Sequence, residues 1–213
     1  RFSGMPMADL DLDNLTLFLS GDEGKSWQLH ELLCTQVTGL LGRSTDRRDD
    51  WIVELPGGDV VPRGFDRSEA LLPLPQRSFD GYRLLQEYFA MPERFHFLDL
   101  TGLGLAISRA KGADVDIYIL LRDGMPDIAP GITPGAFLLN ATPAINLFHK
   151  RCDRTFIREG DVEQHVVVDR TAPLDYEIYQ VDKVTGISSE GEEDVHFRSF
   201  YSADDLTVAG ETH

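Results

Sequence analysis

Between Ser78 and Gly102 the chain carries a helix, a stop and a strand in one unbroken stretch, and any fold must accommodate that unit. Ser78 is placed to cap a helix running from Phe79 to about Ala90, with Asp80 in the first turn where the helix dipole favours a carboxylate. Met91 precedes Pro92, whose ring disfavours helical backbone in the residue before it, so the helix is expected to end there. Phe95 to Thr101 then reads as a strand. On the helix, Tyr82, Leu85 and Phe89 line one face, Leu84 and Tyr88 widen the apolar arc, and Arg83, Gln86 and Glu87 are expected in solvent. Two readings of that arc compete. The default one buries it in the chain's own core, against the strand Phe95 to Leu100. The sharper one leaves a subunit contact made by Tyr82, Arg83, Gln86, Tyr88 and Phe89, since aromatic residues are enriched at interfaces.

Upstream, Leu15 to Ser20 alternates as a strand and is followed by the acidic turn Gly21-Asp22-Glu23-Gly24. Leu29, Leu33, Val37, Leu40 and Leu41 recur at helical spacing, with Gly42 as the predicted stop. Trp51 to Leu55 and Val60-Val61 flank Pro56-Gly57-Gly58-Asp59 and predict a hairpin. Val115 to Leu121 is a further strand. Extended segments are expected at Ala136 to Asn140, Ile145 to His149, Gln164 to Val168, Tyr176 to Val184 and Val195 to Tyr201. The expectation is an α+β protein, β-rich, with two main helices in the first half and mostly strands in the second. It is divided as residues 1–110 (strand, helix, hairpin, helix, strand), a β-rich subdomain 111–202 and a flexible tail 203–213.

The formal net charge is −16, from 36 acidic and 20 basic residues, which disfavours nucleic acid and anionic lipid as partners; keeping the domain soluble is the first reading of that charge and a basic protein partner the second. The 213 residues suffice for a buried core, and a chain opening on Arg1 is expected to belong to a longer polypeptide. Its apolar stretches are too short to cross a bilayer, so direct membrane insertion is not expected. Cys34 and Cys152, 118 positions apart, form neither a disulfide framework nor a metal knuckle.

Several motifs offer chemistry and fall short of it. Gly24-Lys25-Ser26 follows a strand and opens a helix, as a phosphate-binding loop does, but the first glycine of that pattern belongs at Leu19, and Asp22 and Glu23 stand where phosphates would sit. Asp9, Asp11 and Asp13 mimic the start of a calcium loop, yet Asn14 and Ser20 replace its glycine and its bidentate glutamate. Gly102-Leu103-Gly104 lacks the third glycine of a dinucleotide fingerprint, where Ile107 stands. His30-Glu31 would open a zinc-protease motif, but Cys34 occupies the second histidine's place. A nucleotide-binding domain through Lys25 and a β-rich hydrolase or carbohydrate-binding module using acidic residues remain the alternatives.

The stretch Ser78 to Gly102 closely resembles a signature of the TssF family (also called VasA or ImpG), a baseplate subunit of bacterial type VI secretion machines. Leu15 to Glu31, Leu139 to Phe148, Leu174 to Gly186 and Phe197 to Ser202 are similar to further family segments, in the same order. Ala141 stands where the family often has Cys, and Ser199 where Pro is common. The resemblance implies the middle part of a scaffold protein with no catalytic residue, metal or cofactor. It implies as partners TssG and a second TssF copy in a wedge, and TssK, TssE and the spike VgrG in the baseplate. It also implies a cytoplasmic location, at a baseplate docked on the inner-membrane complex of a Gram-negative bacterium.

Overall fold

The computed structural model describes residues 6–46, 48–73, 78–124, 127–187 and 194–197. They form two compact units, Arg1–Ile145 and Asn146–His213. Residues 203–213 of the expected tail lie outside the described residues. The α+β class holds, with three helices and nine strands among those residues.

In the first unit, β1 (Leu15–Leu19) is central because its alternate leucines have somewhere to go: Leu17 and Leu19 are buried. It pairs antiparallel with β5 (Phe97–Leu100), Leu17 opposite Leu98, and on its other side with β7 (Phe137–Leu138). The strand β4 (Val60–Pro62) completes this sheet on the far edge of β5. A second sheet takes the order β3 (Ile52–Glu54), β2 (Val37–Ser44), β6 (Val115–Leu121). Leu17, Leu19, Leu98 and Leu40 from the sheets share one core with Leu29, Leu32 and Leu33 of α1 (Glu23–Thr35) and Ala106 and Ile107 of α3 (Gly104–Arg109).

Four expectations are corrected. The first helix stops at Thr35; Val37, Leu40 and Leu41 belong to β2, where β-branched Val37 and Thr38 begin a ladder with β6 that runs to Ser44 opposite Val115. The second strand of the predicted hairpin leaves for the other sheet: β3 pairs with β2 and β4 with β5, joined by a tight turn at Gly57 and Gly58. α2 (Asp80–Ala90) has Phe79, not Ser78, at its N-cap and no side-chain cap, because a phenylalanine ring offers no acceptor; Asp80, in the first turn, is engaged by Arg83. Arg83 and Glu87, expected in solvent, are buried. The helix does end at Met91, and a 3-10 turn (Pro92–His96) leads into β5.

The Gly102-Leu103-Gly104 run is a chain reversal. Gly102 sits at φ +70, and a side chain there would meet the backbone of Gly58. Asp13 anchors the start of α3, its carbonyl accepting from the Leu103 amide at 2.9 Å and its carboxylate from the Gly104 amide at 3.0 Å. The division expected near Ala110 to Asp114 falls inside this unit, since β6 is bonded along its length to β2.

In the second unit, β8 (Val184–Gly186) and β9 (Val195–Phe197) form the one ladder among the described residues. The segments around Gln164 to Val168 and Tyr176 to Val181 lie outside any strand, and side chains hold them. Lys150 bonds Asp169 at 3.1 Å and the Tyr176 hydroxyl at 2.9 Å, and the Asp153 amide donates to the Val167 carbonyl. The hydroxyl and amide of Thr171, followed by Lys150, hold the Asp169 carboxyl down at about 2.

Candidate functional site

The spacing Asp80, Arg83, Glu87 puts three complementary charges on one stripe of α2, three and four residues apart. That stripe faces inward. Arg83 is 1% exposed and Glu87 3% exposed, while Phe79, Tyr82, Leu85, Tyr88 and Phe89 face solvent at 72%, 64%, 56%, 45% and 80%. The helix is amphipathic and turned polar side in.

The reason lies in the segment after β4, which forms no ladder and leaves its backbone groups in need of partners. The Arg83 guanidinium grips the Asp80 carboxylate with two donors at 2.9 and 3.0 Å and reaches the carbonyls of Gly64, Phe65 and Asp66. A further contact goes to Glu87 Oε2 at 3.0 Å. The other Glu87 oxygen accepts from the amides of Leu71 and Leu72, at 2.9 and 3.1 Å. Arg94, also buried, places Nε 2.5 Å from Glu87 Oε2 and donates to the Glu69 carbonyl. One carboxylate thus sits between two guanidiniums, and Arg83 spreads its donors over Asp80, Glu87 and three loop carbonyls. The hydrogen bond from Arg83 holds the Asp80 carboxyl below its usual range.

The network continues to the sheet. Glu69 accepts from Arg63 Nε at 2.6 Å and from the Gly64 amide at 2.7 Å, and Arg63 also reaches Thr16 on β1. Burial pushes the Glu69 carboxyl up, but these hydrogen bonds outweigh it and leave it lowered.

The outward side of α2 is a band of rings. Phe79 meets Tyr82 edge-on with centroids 5.7 Å apart, and Tyr88 meets Phe89 at 5.6 Å. Tyr88 also lies 6.2 Å from Trp27, which extends the band onto α1. Of the five residues expected at a subunit contact, Tyr82, Gln86, Tyr88 and Phe89 lie on the exposed surface and Arg83 does not. The default reading, in which this arc fills the core against β5, does not hold for this chain. The buried Arg83, Glu87 and Arg94 cluster was missed, although the complementary spacing of residues 80, 83 and 87 was a readable signal for it.

The other motifs occupy structural places. Lys25 lies 3.6 Å from Asp22 beside a cleft of about 290 Å³ lined by Ser20, Ser26, Ile132 and Thr133, with Asp22 on its wall. His30 Nε2 is 3.7 Å from Cys34 Sγ, and burial lowers the His30 pKa and raises that of Cys34. Among the described residues, no group of three His, Cys, Asp or Glu is arranged to hold a metal ion. Asn140 adopts φ +58 and Thr142 bonds the Pro143 carbonyl, fixing a local turn.

A family profile described as "Type VI secretion system, TssF" matches residues 1–213. The Type VI secretion system component TssF1 of Pseudomonas aeruginosa (strain PAO1) is 38% identical over 203 residues, covering 95% of this chain and 32% of that protein. In the cryo-electron microscopy structure of the type VI secretion system TssK-TssF-TssG baseplate subcomplex, one chain superposes with a TM-score of 0.65. It is 28% identical, and the match covers 89% of this chain and 35% of that one.

Proposed function

The chain belongs to the TssF family of type VI secretion systems, and from that premise we propose that it is a scaffold segment of the baseplate, acting by protein–protein contact and not by catalysis. It spans about a third of the length of the relatives it matches. The observation that carries the reading is the aromatic band of α2, held outward by the buried Arg83–Glu87–Arg94 cluster. An uncovered apolar band of this kind marks an interaction site on a folded protein. Rings with few rotatable bonds are the residues interfaces favour. Extended complementary surfaces are what assembly of a contractile tail requires.

The partners proposed are TssG and a second TssF copy in a wedge, with TssK, TssE and the spike VgrG completing the baseplate. The site of action proposed is the cytoplasmic face of the inner-membrane complex. No helix among the described residues is long and apolar enough to cross a membrane. The nucleotide alternative is disfavoured by Asp22, whose carboxylate pairs with Lys25 where a phosphate would have to bind.

Co-expression of the full-length protein with tagged TssG and TssK tests this. The wild type is expected to co-purify with them. The Tyr82→Ser/Phe89→Ser variant is expected to lose them while its unfolding free energy stays within about 0.5 kcal/mol of wild type, as for exposed positions. Failure of the wild type to co-purify with either partner sinks the proposal. Undiminished capture by the variant removes α2 from it.

A further inference from the structure

We propose that the α2 band receives an amphipathic helix whose apolar ridge is flanked by lysine or arginine; this rests on the docking role proposed above and adds the chemistry of the occupant. Two observations choose it. The outward surface of α2 carries no ionised side chain: Phe79, Tyr82, Leu85, Gln86 and Phe89 face out, while Asp80, Arg83 and Glu87 are bonded to one another and to the loop beneath. The exposed Arg67 sits near Asp80 at the start of α2, and the exposed charges beside its other end are acidic. Glu31 stands one helical turn beyond Trp27 on α1, whose ring lies 6.2 Å from Tyr88, and Glu93 opens the turn that ends α2.

An apolar stripe with carboxylates beside its Tyr88 and Pro92 end, on a chain of net charge −16, selects against two other occupants. A second copy would bring acid against acid, and an anionic bilayer would be repelled. It selects for a partner that supplies apolar anchors in the middle and cations at the edge. The stripe runs the eleven residues of α2, about 16 Å at helical rise, which matches anchors at positions i, i+3, i+7 and i+10 of a helix laid along it.

The test uses the full-length protein and a fluorescein-labelled helical peptide of about 18 residues, roughly five turns, built of leucine on one face and lysine on the other. Its leucine/glutamate counterpart is the control. Fluorescence anisotropy at about 0.1 M salt is expected to show the lysine peptide binding at least about tenfold tighter than the glutamate one. Leu85→Ser/Phe89→Ser is expected to weaken it about tenfold, and Glu31→Lys/Glu93→Lys to abolish the preference for the lysine peptide. Equal binding of the two peptides overturns the proposal. So does lysine-peptide binding that ignores Leu85→Ser/Phe89→Ser, which would be general attraction to an acidic chain. Self-association or vesicle binding that is lost in Leu85→Ser/Phe89→Ser assigns the band to a second copy or to lipid instead. If the peptides fail while capture of TssG or TssK still depends on Tyr82 and Phe89, the docking face stands and its basic occupant falls.

Discussion

Arg83 and Glu87, one helical turn apart on α2, meet at 3.0 Å with both side chains almost fully removed from solvent. The pair is closed by Arg94 from the following turn, and the arrangement decides which side of α2 the rest of the protein sees. A helix whose most buried residues are an arginine and a glutamate must point its rings elsewhere.

Removing the shared carboxylate leaves the buried Arg94 guanidinium without its carboxylate and Arg83 with Asp80 alone. Glu87→Ala is expected to cost about 3–5 kcal/mol in urea unfolding, the range for breaking one member of a buried ionic group. The conservative Glu87→Gln keeps an oxygen that can accept from the Leu71 and Leu72 amides and is expected to cost less. A loss under about 0.5 kcal/mol for Glu87→Ala would show that the cluster does not hold the helix.

Gly42 of β2 faces Ala106 of α3 so closely that an added Cβ would collide with the Ala106 methyl. Overfilling a packed contact of this kind costs about 1–3 kcal/mol, and Gly42→Ala is expected to lower stability by that amount. Gly39, on the same strand, has open space where its side chain would go, so Gly39→Ala is expected to change stability by less than about 0.5 kcal/mol. Thermal melts of the two variants side by side check both.

Acid should weaken the fold in two stages. Burial, and then the charge of His96, lowers the His30 pKa from its ordinary 6.5. The unfolded chain therefore takes up that proton first, and stability present above pH 6.5 is lost as pH falls through the lower folded value. Glu69, lowered from 4.5, and Asp80, lowered from 3.8, add stability that is present above those values and lost as pH falls through their depressed folded pKa values. Urea midpoints measured from pH 7 to pH 3 are expected to fall in both windows. His30→Gln should flatten the first and Glu69→Gln part of the second; an unchanged first window in His30→Gln would reject its assignment.

Local signals carried most of the strands and one helix boundary. Alternating leucines set β1, β-branched residues set β6, and Met91-Pro92 ended α2, because each depends on groups within a few residues. The assignment of Val37, Leu40 and Leu41 to a helix failed because their spacing fits both periods, and the ladder with β6, about eighty residues away, chose the strand. The hairpin around Gly57 failed for the same kind of reason: β3 and β4 found better partners in two different sheets.

By itself the sequence determined the α+β class, the family signature across Ser78 to Gly102, and the amphipathic character of the helix within it. Which side of that helix turned inward was decided only by the tertiary structure. Periodicity reports that two faces differ, and the apolar one is buried unless something else needs the polar one more. Here the unladdered loop from Gly64 to Leu72 supplied backbone carbonyls and amides that had to be bonded, and Arg83, Glu87 and Arg94 bonded them. The rings of Tyr82, Tyr88 and Phe89 were left on the surface.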